Sequence, residues 1–316
     1  MKEIVEKFVS KCEPRKGTEV GHIYLPKEFI GEEVVVILKK SFMKYNKLLS
    51  EEALERFKRL FKRHRSLCKL IEREHNTKMF SIVTETWNPV TGCKHNCVYC
   101  WARRLAETKL KRCIRYRDGF TPRINREEFS KKFEGGVVFV SDMGDLFGEF
   151  IPDEWIERVL EHVRRFPDTS FLFLTKNPAR YENFDFPENA ILGATIETDL
   201  NEFDTPSNLR DYKQISNAPP PNERIKAMIK LDWDAKFLSI EPILDFSPKF
   251  WKKIERINPF MIYIGYDNYR CRLPEPILSK TQSLIEKLKN NGFLVLEKTI
   301  RRAWYEKEEE KKENSR

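Results

Sequence analysis

The sequence predicts an α/β protein built on an open, partial barrel of parallel strands, and three observations point to it. Short apolar runs recur along residues 80–300, amphipathic helical patterns lie between several of them, and the runs are continuously apolar. Continuous apolar runs are typical of strands buried on both faces, and their alternation with helices is typical of βαβ units. About seven runs can be counted, one or two short of the eight strands of a closed barrel. We therefore expect the barrel to be open.

Two smaller units are predicted ahead of the barrel. Residues 1–42 are expected to form a small β-rich unit, because residues 18–25 and 33–38 are short β-branched runs separated by a Pro- and Gly-containing turn. Residues 43–79 are expected to form a helical linker, since apolar residues recur there at three- and four-residue steps. The other face of this helix is basic, which favours a solvated face over a nucleic-acid groove.

The strands and connections of the barrel can be placed in order. The predicted strands are residues 81–85, 137–141, 170–174, 191–196, 237–240, 261–264 and 293–296. Helical patterns around Trp155 and Leu284 fall between them, the second closed by Gly292. The polar stretch 198–223 is expected to be a long loop, and residues 301–316 a charged tail. In such sheets ligands bind at the carboxyl ends of the strands, so the residues after each run are the site candidates.

Composition and charge narrow the class of protein. The chain has 316 residues and a formal net charge of +9. This charge favours an anionic partner such as nucleic acid, or serves solubility alone. No apolar run approaches the length of a membrane span, and the N-terminus does not resemble a signal peptide. Seven cysteines without an export signal indicate a reducing compartment, so we expect a cytoplasmic protein with no membrane partner.

The strongest local signal is the segment WNPVTGCKHNCVYCWA, residues 87–102, which holds Cys93, Cys97 and Cys100. It follows the first predicted strand and opens a helix. Three thiolates occupy three irons of a [4Fe-4S] cluster and leave the fourth open to a substrate or cofactor. The alternative is a structural zinc held by these cysteines and His95. Zinc sites normally pair two short ligand motifs across a longer gap, and no second motif exists here.

The spacing Cys-x-x-x-Cys-x-aromatic-Cys resembles the signature of the radical S-adenosylmethionine (SAM) superfamily. The resemblance implies that Cys93, Cys97 and Cys100 hold a [4Fe-4S] cluster whose open iron binds the amino and carboxylate groups of SAM. It implies a low-potential electron donor of the ferredoxin or flavodoxin type. One-electron cleavage of SAM would give methionine and a 5′-deoxyadenosyl radical, which takes a hydrogen atom from the substrate. Tyr99 occupies the aromatic position that lies near the adenine.

Residues after the second and third strands match the superfamily by position. Asp142, Gly144 and Asp145 stand where a Gly-rich segment meets the SAM amino group, although the usual Gly-Gly-Glu is absent. Asp142 or Asp145 capping the following helix is the alternative. Lys176 is expected to pair with the SAM carboxylate, or else to be merely exposed.

The next two strand ends carry a repeated spacing. Thr195 and Glu197 are two residues apart, so they project to one face, where the superfamily places polar side chains on the ribose hydroxyls. Ser239 and Glu241 repeat the spacing one strand later. Carboxylates at successive strand ends need partners when buried, so a functional role is favoured for the two glutamates.

Longer phrases indicate a branch of the superfamily. WNPVTGC, TKNP, GATIE, LSIEP and IYIG resemble the phage- and archaea-associated group related to spore photoproduct lyase-like proteins. Residues 264–270 replace the later Gly-Gly-Glu of that group. Residues 21–36 resemble looped-hinge modules of the AbrB type, which implies a DNA-binding homodimer through this unit. An ordinary hairpin against the core is the alternative.

Residues around the predicted cluster helix suggest a substrate. The basic side chains that would track phosphates are Arg103, Arg104, Lys109, Lys111, Arg112, Arg115 and Arg117. The aromatic side chains that would stack on extruded bases, or else pack in the core, are Trp87, Trp101, Tyr116 and Phe120. Cys271, in a polar loop after the sixth strand, is a candidate catalytic thiol that meets substrate or donates a hydrogen atom.

Three functions remain open from the sequence. The first is a radical SAM enzyme that acts on DNA or RNA, in repair or modification. The second is the same chemistry on a peptide or small metabolite, with the basic surface incidental. The third is a non-catalytic, metal-stabilised nucleic-acid-binding protein. The cluster and SAM are the cofactors expected for the first two functions.

Overall fold

The computed structural model describes residues 79–306, which form one seven-stranded parallel sheet with helices between the strands. The strands are β1 (Glu85–Trp87), β2 (Val90–Thr91), β3 (Arg123–Ile124), β4 (Val137–Val140), β5 (Ser170–Thr175), β6 (Ala190–Thr195), β7 (Lys236–Ile240), β8 (Met261–Ile264) and β9 (Val295–Glu297). The α-helices are α1 (Trp101–Glu107), α2 (Asp153–Arg164), α3 (Pro221–Lys230), α4 (Phe250–Ile257) and α5 (Leu278–Asn290).

The order of strands in the sheet is β1-β4-β5-β6-β7-β8-β9, so each strand lies beside the next strand of the sheet along the chain. The short β2 and β3 pair only with each other, antiparallel. Because every neighbouring pair in the large sheet is parallel and the order never reverses, right-handed crossovers put the helices on one face. The sheet curls away from that layer into a half-barrel. The predicted partial, open α/β barrel is confirmed.

The predicted strands agree with the observed ones to within one residue at each end, except for the two strands at the edges of the sheet. The first strand begins at Glu85 and not at residue 81, because the Val83 N–H donates to Phe80 O (3.0 Å) and closes a turn. The last begins at Val295 and not at residue 293, because the Phe293 N–H donates to Leu288 O (3.1 Å) at the end of α5. In both places an apolar residue next to the strand is buried without being part of it.

Apolar side chains fill the inside of the half-barrel below the strand ends. Phe80, which precedes β1, lies with its ring centroid 5.8 Å from Phe139, 5.1 Å from Phe237 and 4.8 Å from Tyr263. All four side chains are buried. Aromatic rings at these spacings contribute packing energy beyond the area they bury. These four side chains form an apolar plug that fills the interior below the carboxyl ends of the strands.

Several predicted units lie outside the described residues. These are the β-rich unit at residues 1–42, the helical linker apart from Met79, and residues 307–316 of the tail. Residues 301–306 pack on the sheet domain: Trp304 Nε1 donates to Leu273 O (2.8 Å), and the Tyr305 hydroxyl donates to Glu275 O (2.9 Å). Within residues 79–306, none of the helices combines the length and the hydrophobicity that crossing a membrane requires.

Candidate active site at the carboxyl ends of the strands

The cysteine segment lies between β1 and α1 and is held tightly against the segment after β4. Gly92 has φ of +87°, and a Cβ at this position would stand 2.2 Å from Thr121 O, so only glycine fits. The Gly92 N–H donates to Met143 O (2.9 Å). A Cβ on Gly144 would stand 3.0 Å from Gly92 O. The two glycines therefore allow the two segments to approach closely.

Each of the three cysteine sulfurs takes part in a hydrogen bond with another residue of the protein. Cys100 is the N-cap of α1, and its Sγ accepts the Arg103 N–H (3.3 Å). Cys93 Sγ accepts the His95 N–H (3.4 Å), and Cys97 Sγ lies 3.1 Å from Ser216 Oγ. All three are free thiols, and all three line one cavity.

Two of the three thiols have pKa values above the usual value for cysteine. Burial, followed by the charges of Asp145 and Cys97, raises the pKa of Cys93, and burial likewise raises the pKa of Cys100. Bound metal reverses such shifts because its positive charge stabilises thiolates. Three free thiols that line one cavity are the type of donor that an iron–sulfur cluster takes, since a cubane binds each thiolate through a different iron. In residues 79–306 no three His, Cys, Asp or Glu side chains are arranged to hold a single metal ion.

A buried pair, His95 and Asp145, joins the cysteine segment to the barrel. His95 Nε2 lies 2.9 Å from Asp145 Oδ2, and both side chains are nearly inaccessible. Asp145 also accepts the Lys176 N–H (2.9 Å) and the Thr175 hydroxyl (2.6 Å). Burial alone would raise the pKa of Asp145, but His95 outweighs burial and the net shift is downward. With the Phe147 N–H (3.2 Å), Asp145, predicted to contact SAM, is thus already bonded to four neighbours. The sequence considered His95 only as a zinc ligand.

Asp142 lies at the cavity wall and is held by Asn88. Asn88 Nδ2 donates to Asp142 Oδ1 (2.6 Å), and Asn88 Oδ1 accepts the Met143 N–H (3.0 Å). Burial raises the pKa of Asp142. The helix-capping alternative for Asp142 and Asp145 is wrong, because the N-cap of α2 is Pro152. Asn88 belongs to the WNP part of the cysteine segment, which the sequence singled out. Its pairing with Asp142 could not be predicted from the sequence.

Glu197 is the centre of a charged cluster beneath the cavity. It is fully buried, and its Oε2 accepts Arg224 Nη1 at 2.7 Å. Its Oε1 accepts hydrogen bonds from Lys176 Nζ, from the Tyr99 hydroxyl and, at 3.0 Å, from the Tyr212 hydroxyl. Burial alone would raise the pKa of Glu197, but the cations Arg224 and Lys176 outweigh it and the net shift is downward. Burial raises the pKa of Tyr212 to about 12. The carboxylate is therefore charged and the phenol neutral.

Three residues assigned separately from the sequence, namely Tyr99, Lys176 and Glu197, thus meet in one cluster. Tyr99 and Lys176 line the cavity, and Glu197 holds both from behind. Sequence reasoning missed Arg224 and Tyr212. Arg224 stands on an amphipathic helix among exposed charges, and no spacing in the sequence separates it from them.

The strand-end residues of β6 and β7 form the next part of the cavity wall. Thr195 and Ser239 are paired neighbours in the sheet, and both line the cavity. Glu241 also lines it, and its Oε2 lies 2.6 Å from Lys298 Nζ. The cavity has a volume of about 410 Å³, within the range of small-molecule sites. Phe80 contributes to its apolar base.

Cys271 lies beside the cysteine segment, outside the cavity wall. Its Sγ is 3.7 Å from Val98 O and 3.9 Å from Arg104 Nη2. Asp267 Oδ2 accepts the Cys271 N–H (2.6 Å) and fixes the loop. Burial, and then the charge of Asp267, raises the pKa of Cys271 to about 11. The side chain is therefore a protonated thiol at neutral pH.

Most of the aromatic candidates for base stacking are core residues. Trp87, Tyr116 and Phe120 are at most 6% exposed, so of the two alternatives for these residues, packing in the core is confirmed and stacking on bases is not. Trp101 is 36% exposed and lines the cavity. Among the basic candidates, Arg115 is neutralised by ion pairs with Glu127 and Glu128.

Arg103 has a local role as well, because it donates to Asn96 and to Cys93 O within the cysteine segment. The charged surface near the site is therefore smaller than the sequence suggests.

One family model matches the chain, over residues 77–250, which is more than half of its length. The family is described as "Protein of unknown function (DUF5131)". The matched range includes the cysteine segment and the strand ends from β4 to β7, and it excludes Cys271. No curated protein matches the chain.

Solved structures are similar to the chain at low identity. A spore photoproduct lyase complexed with dinucleoside spore photoproduct is 12% identical over 63% of this chain and 58% of that one, with a TM-score of 0.41. A mutant of that lyase with bound AdoMet and the dinucleoside is 11% identical over 75% and 80%, with a TM-score of 0.40. Methylornithine synthase (PylB) is 14% identical over 83% and 82%, with a TM-score of 0.40. The chain thus spans less than two thirds of the first of these structures.

Proposed function

This chain belongs to the DUF5131 family, and we propose that it is a radical SAM enzyme that holds a [4Fe-4S] cluster through Cys93, Cys97 and Cys100 and cleaves SAM reductively. One observation carries the proposal. Three free thiols with the superfamily spacing line a single cavity together with polar residues at the ends of six successive strands, β4 to β9. When bound, the cluster supplies the electron for the cleavage of SAM and an open iron to which SAM binds.

Other residues of the cavity would bind and orient SAM. Lys176 and Tyr99 face the cavity and offer a cation and an aromatic ring to the cofactor, while Glu197 orients both. Thr195 and Ser239 offer hydroxyl groups from neighbouring strands. Polar groups fixed in advance by their own hydrogen bonds bind a ligand without reorganisation.

Two further features suit radical chemistry. The apolar plug around Phe80 closes the base of the cavity, and exclusion of water protects reactive intermediates. Cys271 holds its proton beside the cysteine segment and is a candidate hydrogen-atom donor to a substrate. The expected external reductant is a ferredoxin or flavodoxin in the cytoplasm.

The substrate class that the surface supports best is nucleic acid, in repair or modification. The cationic side chains near the cavity, including Arg104 and Arg270, suit phosphate groups better than they suit a neutral metabolite. A peptide or small metabolite as substrate would leave this charge without a role.

Production of 5′-deoxyadenosine tests the proposal. Anaerobic protein reconstituted with iron and sulfide, reduced with dithionite and given SAM, is expected to make it. Cys97→Ala should abolish the product, and Cys113→Ala, which removes an exposed thiol outside the site, should not. A wild-type protein that takes up zinc and never cleaves SAM would show a non-catalytic metal protein instead.

A further inference from the structure

We infer that the rim of the cavity formed by Trp101, Arg104, Tyr269 and Arg270 is a binding site for an unpaired nucleotide of a single-stranded nucleic acid. The inference rests on the proposed function and deepens it, because it specifies the substrate of the same site. An aromatic surface would stack on the base, and guanidinium groups would contact the adjoining phosphates.

Trp101 and Arg104 stand one turn apart on α1, so they share a face of the helix. Trp101 lines the cavity and is one of four large hydrophobic side chains that remain exposed in residues 79–306. An accessible tryptophan that lines a cavity is available for stacking. Its neighbours on the same segment, Tyr116 and Phe120, are committed to the core.

Arg104 connects the helix to the loop on the other side of the rim. Its guanidinium carbon lies 5.1 Å from the centroid of the Tyr269 ring, and Tyr269 lines the cavity. Within the described part of the chain, Arg104 forms no ion pair with a carboxylate. Arg104 Nη2 lies 3.9 Å from Cys271 Sγ, a weak acceptor that a phosphate oxygen can replace, and the guanidinium suits bidentate contact with a phosphate.

The loop that carries Tyr269 is held in an unusual conformation. Arg270 has φ of +57°, a region that residues other than glycine seldom occupy, and its side chain is exposed. Asp267 fixes the loop on both sides by accepting the N–H groups of Tyr269 (2.9 Å) and Cys271 (2.6 Å). Backbone strain maintained by the surrounding structure is concentrated at functional sites. Here Tyr269 lines the cavity, and the exposed Arg270 follows it directly in the chain.

The charge of this region differs from that of the rest of the domain. Residues 101–130, which include the acidic partners of Arg115, contain nine Lys and Arg against four acidic residues, a formal net charge of +5. Residues 79–306 as a whole contain 35 against 33, a net charge of +2. The rest of the described domain is therefore net negative. A cationic segment beside the cavity of an otherwise acidic domain would direct a polyanion to that cavity.

These features favour a single strand over a duplex and over an acidic protein. The cavity of about 410 Å³ has room for a ligand of small-molecule size and not for a double helix. A base reaches such a site only when it is unpaired or extruded from its stack. Accessible rings beside guanidinium groups are typical of sites that bind single strands.

Fluorescence anisotropy with the full-length, cluster-loaded, oxidised protein tests the inference. The probes are a labelled 12-nucleotide single-stranded DNA and its blunt duplex, without SAM or reductant. We expect the single strand to bind about tenfold tighter than the duplex, because the duplex must first be unstacked. Trp101→Ala should weaken binding about 5- to 100-fold and Trp101→Phe much less, since only alanine removes the stacking surface.

The arginine variants separate phosphate contact from general charge. Arg104→Gln should lower the slope of log Kd against log salt by about one. Arg256→Gln removes the same charge from the last turn of α4, which leads into the amino end of β8, away from the carboxyl ends of the strands, and should leave the slope unchanged. Binding needs no radical chemistry, so a failure here is distinct from a failure to cleave SAM.

Four results would overturn the inference. These are no binding of the single strand, equal binding of the duplex, wild-type affinity in Trp101→Ala, and competition by polyglutamate as effective as competition by unlabelled oligonucleotide. The last result would identify the surface as a docking site for an acidic protein. If Trp101→Ala does not fold, then Trp101→Phe and the salt slope of Arg104→Gln still decide the question.

Discussion

Arg224 and Glu197 form an ion pair in which neither side chain is exposed to solvent, with Nη1 2.7 Å from Oε2. Arg224 belongs to α3, in the outer layer of helices, and Glu197 follows β6. Because the other carboxylate oxygen receives Tyr99 and Lys176, the pair fixes two side chains of the cavity from behind. A helix that does not touch the cavity thus helps to shape it.

Breaking this pair should be costly. Arg224→Met leaves the carboxylate buried without its main partner, and we expect the free energy of unfolding in urea to fall by about 3–5 kcal/mol. Arg224→Met combined with Glu197→Leu removes both charges and should cost less than the sum of the two single variants. Strictly additive losses would show that the two side chains do not depend on each other.

Gly92 should be needed for cluster binding. In Gly92→Ala the new Cβ would meet Thr121 O, so the cysteine segment must shift, and we expect most of the iron to be lost after reconstitution. Gly119→Ala is the matched control, because Gly119 also has a positive φ (+74°) but open space around its Cα. Iron per chain, measured after desalting, separates the two. If both variants lost iron to the same extent, the cause at Gly92 would be backbone strain and not the close approach of Thr121.

Asp145 should hold the cysteine segment in place. Asp145→Asn keeps the shape of the side chain. It replaces one carboxylate oxygen, an acceptor, by an NH2 group, a donor, which cannot pair with the Lys176 N–H. We expect this variant to release iron to a chelator at least several times faster than wild type. Asp142→Asn alters a carboxylate with a single side-chain partner and should release iron at close to the wild-type rate. Similar rates for both variants would contradict the structural role of Asp145.

Cys271 should react slowly with alkylating reagents at neutral pH. Its raised pKa keeps the thiol protonated, and only the thiolate reacts. Iodoacetamide labelling of the Cys271 peptide, followed by mass spectrometry, should reach half its maximal rate near pH 11. Asp267→Asn removes a negative charge and should move this midpoint downward. If the labelling rate of the wild-type protein reached its midpoint near pH 9, the ordinary pKa of a cysteine, this would contradict the effect of burial on Cys271.

The sequence was sufficient for those features that depend on neighbouring residues. The apolar runs predicted the parallel sheet, and the spacing of Cys93, Cys97 and Cys100 brought them to one strand end. The first strand was misplaced because the buried residues of the turn before Glu85 look like strand residues. A long-range partner such as Arg224 was not predictable, since its partner Glu197 is fixed by the packing of α3 and not by any local pattern.

The burial of aromatic residues was equally beyond the sequence. Trp87 and Trp101 lie at opposite ends of the same motif, yet one is fully buried and the other is 36% exposed. Trp87 belongs to the main core, whereas the small cluster of apolar side chains beneath α1 does not include Trp101. Only the folded structure therefore identifies Trp101 as an accessible ring that lines the cavity.

The central claim is that three sulfur ligands leave one iron of the cluster open to SAM. Electron paramagnetic resonance of the reduced, reconstituted protein tests it most directly, with and without SAM. We predict about four irons per chain and a cluster signal that changes when SAM is added. A signal that SAM leaves unaltered, or a protein that binds no iron, would contradict the account.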